Sequence, residues 1–149
     1  MWRILGRTAH LWSFWFYKLV SNAHTKIIKF NHTRIGEWIL GDKILLLETI
    51  GNKSKKVRKT PLTYVFYNGA YVVAASYSGN EKTPDWFYNL NSGDVFITVD
   101  SVRLKVNPEL ISHDQKSFYW NLLDEHYPTF KQYRDRSNRD IPLIKLTKV

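Results

Sequence analysis

The dipeptide Asn68-Gly69 lies between two runs rich in β-branched and aromatic residues, 61–67 and 70–76. Both residues accept the positive φ that a type I′ turn demands, so the pair specifies a tight hairpin and the register of the strands beside it. Residues 43–50 supply an earlier strand, whose continuous Ile44-Leu45-Leu46-Leu47 run implies burial on both faces. Residues 94–99 and 102–107, joined at Asp100-Ser101, give two more, and residues 141–148 a last one. About six strands joined mostly by hairpins, with helices inserted late, predict an α+β chain built as a small antiparallel barrel with peripheral helices. Such barrels offer a cleft at the mouth or beside a flanking helix for a flat ligand.

Between the first two strands runs a stretch, residues 51–62, with five cations (Lys53, Lys55, Lys56, Arg58 and Lys59) and no acid. Lys and Arg give charge-assisted hydrogen bonds, Ser54 and Thr60 add hydroxyls, and a turn can aim successive backbone N–H groups at a phosphate. The spacing is not that of a nucleotide P-loop. A solvated basic hairpin end is the plain alternative. The whole chain supports an anionic partner: its net charge is +9 and its pI about 9.7 over 149 residues. The absence of cysteine excludes disulfides and thiolate metal sites, and the five histidines show no ligand spacing, so no metal is expected.

Residues 2–20 read as an amphipathic helix, with Arg3, Arg7, His10 and Lys18 on one arc and Trp2, Leu5, Trp12 and Phe16 on the other. Its longest stretch without Lys, Arg, Asp or Glu, residues 8–17, is too short to span a bilayer. No small-residue cleavage pattern follows it, so a cytoplasmic protein is expected. The aromatic face either packs on the protein's own core or lies in a membrane interface as a peripheral contact. The division expected is an N-terminal amphipathic helix over 1–30 and a barrel domain over 31–149. Further on, Thr83 is placed to cap a helix over 84–91, and Ser112 with Gln115 forms a capping box for a helix through Glu125. Residues 127–133 make a second aromatic helical segment.

Taken together, several segments resemble the deazaflavin (coenzyme F-420)-dependent nitroreductase family. The family pattern Gly-Arg-Lys-Ser/Thr-Gly-x-x-Arg-x-x-Pro-Leu is similar to residues 51–62, and Ala-Ser-Lys-Gly-Gly to residues 75–79. Pro-x-Trp-x-x-Asn-Leu is matched at Pro84, Trp86, Asn89 and Leu90. Tyr127, Pro128, Phe130 and Tyr133 follow another family pattern, and Arg139, Ile141 and Pro142 a third; Arg34-Ile35-Gly36 fits the segment before the first strand. The departures are Asn52 for Arg, Lys55 for Gly and Tyr77 for Lys, with Phe130 where Tyr is common.

The resemblance implies a split β-barrel that binds the anionic coenzyme F-420 and passes its hydride to a nitro, quinone or activated unsaturated acceptor. It implies that Lys53, Ser54 and Arg58 hold the phosphate, with Lys55, Lys56 and Lys59 near the acidic tail. Pro61 and Leu62 would begin the strand beside the ring, Ala75, Ser76 and Gly79 would give close backbone approach, Tyr77 could stack, and Trp86 and Asn89 would close that side. Ser76, Tyr127 and Tyr133 would line the acceptor side as catalytic residues, a neutral phenol being able to donate to an oxygen of the acceptor. The same fold with FMN or haem is one alternative, motivated by Asn52 and Tyr77. A nucleic-acid-binding module is another, since basic and aromatic residues also suit single strands. A clustered basic loop with a separate tyrosine segment suits a small-molecule cleft better than a groove tracking many phosphates.

Overall fold

A computed structural model describes residues 43–149. The expected helix over 2–20 and the Arg34-Ile35-Gly36 segment lie outside the described residues. Asn68 (φ 48°) and Gly69 (φ 78°) both take the left-handed conformation, and the turn joins β3 (Val65–Tyr67) to β4 (Ala70–Ala74) in the expected hairpin. Asp100 and Ser101 do the same between β5 (Val95–Val99) and β6 (Val102–Leu110). With β1 (Ile44–Ile50), β2 (Val57–Thr63) and β7 (Leu143–Lys148), these form one antiparallel sheet in the order β2-β1-β5-β6-β7-β4-β3.

Several expected bounds change by a few residues, β4 ending at Ala74 and β6 running on to Leu110 among them, and two changes shape the site. Residues 61–67 are not one strand: pairing with β1 ends at Thr63, and β3 resumes at Val65 on the opposite edge of the sheet, giving seven strands among the described residues rather than six. That break forces closure. Seven strands laid flat would span roughly 29 Å, whereas the edges β2 and β3 are linked through Tyr64 alone, a reach of about 7 Å. The sheet must curl until its edges meet, and a split barrel results. The second change is at β2, which begins at Val57, so Arg58, Lys59 and Thr60 belong to a strand rather than to a loop.

Closure creates two apolar layers. Leu45 and Leu47 of β1, Val73 of β4, Ile97 of β5 and Leu146 of β7 fill the barrel, with Trp86 and Leu90 packed against them. Val72 and Ala74 of β4 and Leu143 of β7 face the other way, onto Leu123, Tyr127 and Phe130. β4 is therefore apolar on both faces, and each fully buried Leu or Val contributes about 1.5–3 kcal/mol. Leu123 lies on α2 (His113–His126) and Phe130 on α3 (Thr129–Arg136), separated by Pro128. A shorter helix, α1 (Asp85–Asn89), carries Trp86. Its cap position is Pro84, not Thr83. Ser112 caps α2, but its hydroxyl serves the carboxylate of Asp114, lowering that pKa, and the expected capping box with Gln115 does not form.

On the outer surface of β1, Glu48 stands opposite Lys59 of β2 and Phe96 of β5. Its carboxylate meets Lys59 Nζ at 3.1 Å and the Arg103 guanidinium, which also stacks on the Phe96 ring at 3.5 Å. Burial alone would raise the Glu48 pKa, but Arg103 and Lys59 outweigh it and hold the group below the ordinary 4.5. A depressed carboxylate stabilises the fold above its unfolded pKa, and that contribution disappears as pH falls through the folded one. Glu48→Gln is expected to cost about 1 kcal/mol at pH 7 and almost nothing at pH 3, read by urea unfolding at both pH values. An equal cost at both would remove the ionic account.

Candidate active site

At Gly51 the chain leaves β1 and folds back on itself. Its N–H donates to Lys56 O at 2.8 Å and its carbonyl accepts from Lys55 N–H at 2.8 Å, closing a compact loop. A Cβ here would lie 2.5 Å from Ser54 Oγ and 3.3 Å from Lys56 O, so glycine leaves room for the Ser54 hydroxyl where it stands. Arg58 donates to Ser54 Oγ at 3.2 Å, which orders both before any ligand arrives. Lys55 stands where the resembling family has Gly, and its φ is 54°. A side chain in that left-handed conformation costs about 1 kcal/mol. Lys55→Gly relieves that strain but gives the unfolded chain more freedom, so a net gain of about 0.5 kcal/mol or less is expected in chemical denaturation. A clear loss of stability would mean that the Lys55 side chain makes stabilising contacts of its own.

Asn52 replaces an expected Arg, yet the structure uses its backbone: Asn52 N–H donates to Asn89 Oδ1 at 2.9 Å. Through that bond the buried Asn89 ties α1 to the basic loop. Its remaining –NH2 is a donor on the wall of the cleft between them.

The β1–β2 register shows why Arg58 points into that cleft. Leu45 faces Leu62, Leu47 faces Thr60 and Thr49 faces Arg58, so all six share the barrel-facing side. Leu62 packs on the core; Thr60 and Arg58, nearer the loop, reach past it. A cleft of about 820 Å³ opens there, with Lys53, Ser54, Arg58 and Thr60 on one wall and Trp86 and Asn89 on the other. Lys59 reaches the rim, but Glu48 holds its ammonium on the outer surface. Cations and hydroxyls on one wall, an aromatic and an amide on the other, match an anionic group joined to a flat one.

Thus five residues expected from the sequence, Lys53, Ser54, Arg58, Trp86 and Asn89, converge on one cleft. Thr60, expected with Ser54 to add a hydroxyl, joins them, and Asp85 and Tyr88 also line the cleft and were not expected. Alternation along β2 accounts for Thr60, two residues after Arg58. Pro61 and Leu62 lie farther along β2 and do not line the cleft.

A second group forms elsewhere. Tyr77 (φ 47°), Ser78 (φ 55°) and Gly79 (φ 78°) are consecutive left-handed residues, a conformation that costs energy at each non-glycine. Arg139 clamps this turn, donating through Nη2 to Ala75 O at 2.8 Å and Ser76 O at 3.1 Å, and through Nε to Asn80 O at 2.9 Å. Ala75 N–H donates to Pro142 O, so both backbone groups of Ala75 are engaged within the protein. The close approach at Gly79 is to α3: a Cβ would lie 2.9 Å from Tyr133 O. That contact places Tyr133 beside the turn carrying Ser76 and the exposed Tyr77. Tyr127 does not join them. Its hydroxyl accepts from Lys43 N–H at 3.0 Å and donates to Tyr64 O at 3.2 Å, fastening the residue at which the barrel closes.

A split barrel with a cationic cleft beside a short aromatic helix defines a class of coenzyme-binding proteins, and comparison with known proteins narrows it. Residues 20–148 match the F420H(2)-dependent quinone reductase family, and the chain belongs to that family. An F420H(2)-dependent quinone reductase of Mycobacterium tuberculosis is 32% identical over 130 residues, covering 84% of this chain and 87% of that protein. A solved F420-H2 dependent reductase, FDR-A, is 30% identical with a TM-score of 0.63, covering 70% of this chain and 93% of its own. The haem storage protein HutZ of Vibrio cholerae shares the fold alone, at 13% identity and a TM-score of 0.55 over 78% of this chain and 88% of its own.

Proposed function

We propose that the protein reduces quinone-type acceptors with reduced coenzyme F-420, and that the cleft beside α1 holds the anionic part of that coenzyme. The observation carrying this reading is the convergence of Lys53, Ser54 and Arg58 with Trp86 and Asn89 on one cleft, in a chain of this family. When bound in reduced form, the deazaflavin supplies the hydride. Lys53 and Arg58 neutralise the phosphodiester, and Ser54, oriented by Arg58, adds a hydroxyl. Asn89 fixes the loop through Asn52 and offers its –NH2 to the ligand. Trp86, buried against the core, gives the opposite wall a rigid apolar surface. Positioning of this kind is the protein's share of hydride-transfer catalysis.

For the acceptor side we infer Ser76, Tyr77 and Tyr133, brought together by the clamped left-handed turn against α3. Tyr77 is exposed, as a group meeting a flat acceptor needs to be. Tyr127 is assigned to the fold.

The test is fluorescence titration of the purified protein with coenzyme F-420, FMN and haem, followed by turnover with a quinone and a nitro compound. Saturable binding of F-420 alone, with quinone reduction, is the expected result. Binding of FMN or haem in its place would overturn the coenzyme assignment.

A further inference from the structure

Among the described residues that line the cleft, Asp85 is the one carboxylate. It is exposed on α1, faces the wall that carries Lys53 and Arg58, and makes no ion pair among the described residues. As the first residue of α1 and the acid in its first turn, Asp85 suits the N-terminal end of that helix, and the same position sets its charge on the cleft. An acid at such a place opposes the anion that the other wall attracts. Tyr88, one turn further on and 56% exposed, lines the same cleft.

We propose that Asp85 is a specificity residue that limits how many negative charges the bound coenzyme can lay along α1, steering an oligoglutamate tail toward Lys55 and Lys56. The assignment rests on the reading that the cleft holds coenzyme F-420. Lys55 and Lys56 are exposed, and neither is engaged in an ion pair among the described residues. They belong to the loop that carries Lys53 and Ser54, so attraction toward that loop and repulsion from α1 act in the same direction. Two unit charges about 7 Å apart in water alter an equilibrium by about two- to threefold at low salt, and the effect is screened away as salt rises. Each tail carboxylate kept off α1 therefore carries a discrimination of that order.

The experiment is a fluorescence titration of wild type, Asp85→Asn and Asp85→Lys at low ionic strength. The ligands are coenzyme F-420 species with two, four and six glutamates, and the deazaflavin lacking phosphate and tail. Asp85→Asn should tighten binding of the two-glutamate species about two- to threefold and of longer tails more, with Asp85→Lys exceeding it. Binding of the tail-less ring should not change, and half-molar salt should abolish the gain. Equal effects on every ligand, or none, would overturn the assignment of Asp85 while leaving the coenzyme site intact. If neither wild type nor variants bind any phosphate-bearing species, the coenzyme reading itself fails and takes this one with it.

Discussion

Replacing Lys53 and Arg58 together by alanine should weaken coenzyme binding by about two to three orders of magnitude and leave the melting temperature almost unchanged. Each residue offers a charge-assisted hydrogen bond of about 1.5–3 kcal/mol, and the two partly compensate for one another when only one is removed. Both are exposed, so no core packing is lost. Arg58 has a further effect, because its guanidinium orients Ser54 at 3.2 Å. Arg58→Lys should therefore fall between wild type and Arg58→Ala, since a point charge cannot hold the hydroxyl and the ligand in one fork. Lys59→Ala is the internal control. Its charge belongs to the same basic stretch, but Glu48 holds it on the outer face, and binding should change less than threefold. Deazaflavin fluorescence reads wild type and all four variants. Should K53A/R58A bind within threefold of wild type, the cleft beside α1 is not the phosphate site.

What the chain disclosed in advance follows the range of the interactions involved. The hairpin at Asn68-Gly69 and the turn at Asp100-Ser101 depend on the φ preferences of two residues, and both stand as expected. The cationic stretch and Trp86 with Asn89 were legible as chemistry. Their meeting was implied by the family resemblance alone and by no local pattern, because the Asn52 to Asn89 bond joins residues 37 apart. The break at Tyr64 was hidden for a similar reason. Residues 61–67 are locally a good strand throughout, and only closure of the whole sheet decides that pairing must change edges there. Gly79 shows the opposite difficulty: the resemblance implied a close backbone approach to the coenzyme there, but the neighbour it makes room for is the backbone of Tyr133. Lys55 marks a place where a local rule is broken without changing the fold, since its φ of 54° keeps the loop shape a glycine would take.

Tyr127→Phe should separate a role in the fold from a role in the chemistry. The Tyr127 hydroxyl meets the backbone of Lys43 and of Tyr64, and Tyr64 N–H also donates to Lys43 O at 3.2 Å. These bonds hold the start of β1 to the single residue at which the chain crosses from one sheet edge to the other. Tyr127 is only 6% exposed, so deletion of its oxygen leaves a donor and an acceptor that water reaches poorly. The expected cost is about 2 kcal/mol, lowering Tm by roughly 5–10 °C. The ring itself stays packed among Leu123, Phe130 and Leu143, so the variant folds and can be assayed well below its melting point. There, kcat and KM for a quinone should remain within about twofold of wild type, because a hydroxyl directed at Lys43 and Tyr64 does not meet the acceptor. Tyr133→Phe supplies the contrast, with a small change in stability and a larger loss of kcat. Loss of turnover in Tyr127→Phe with an unchanged Tm would place Tyr127 at the acceptor instead, and the closure of the barrel would then need another fastening.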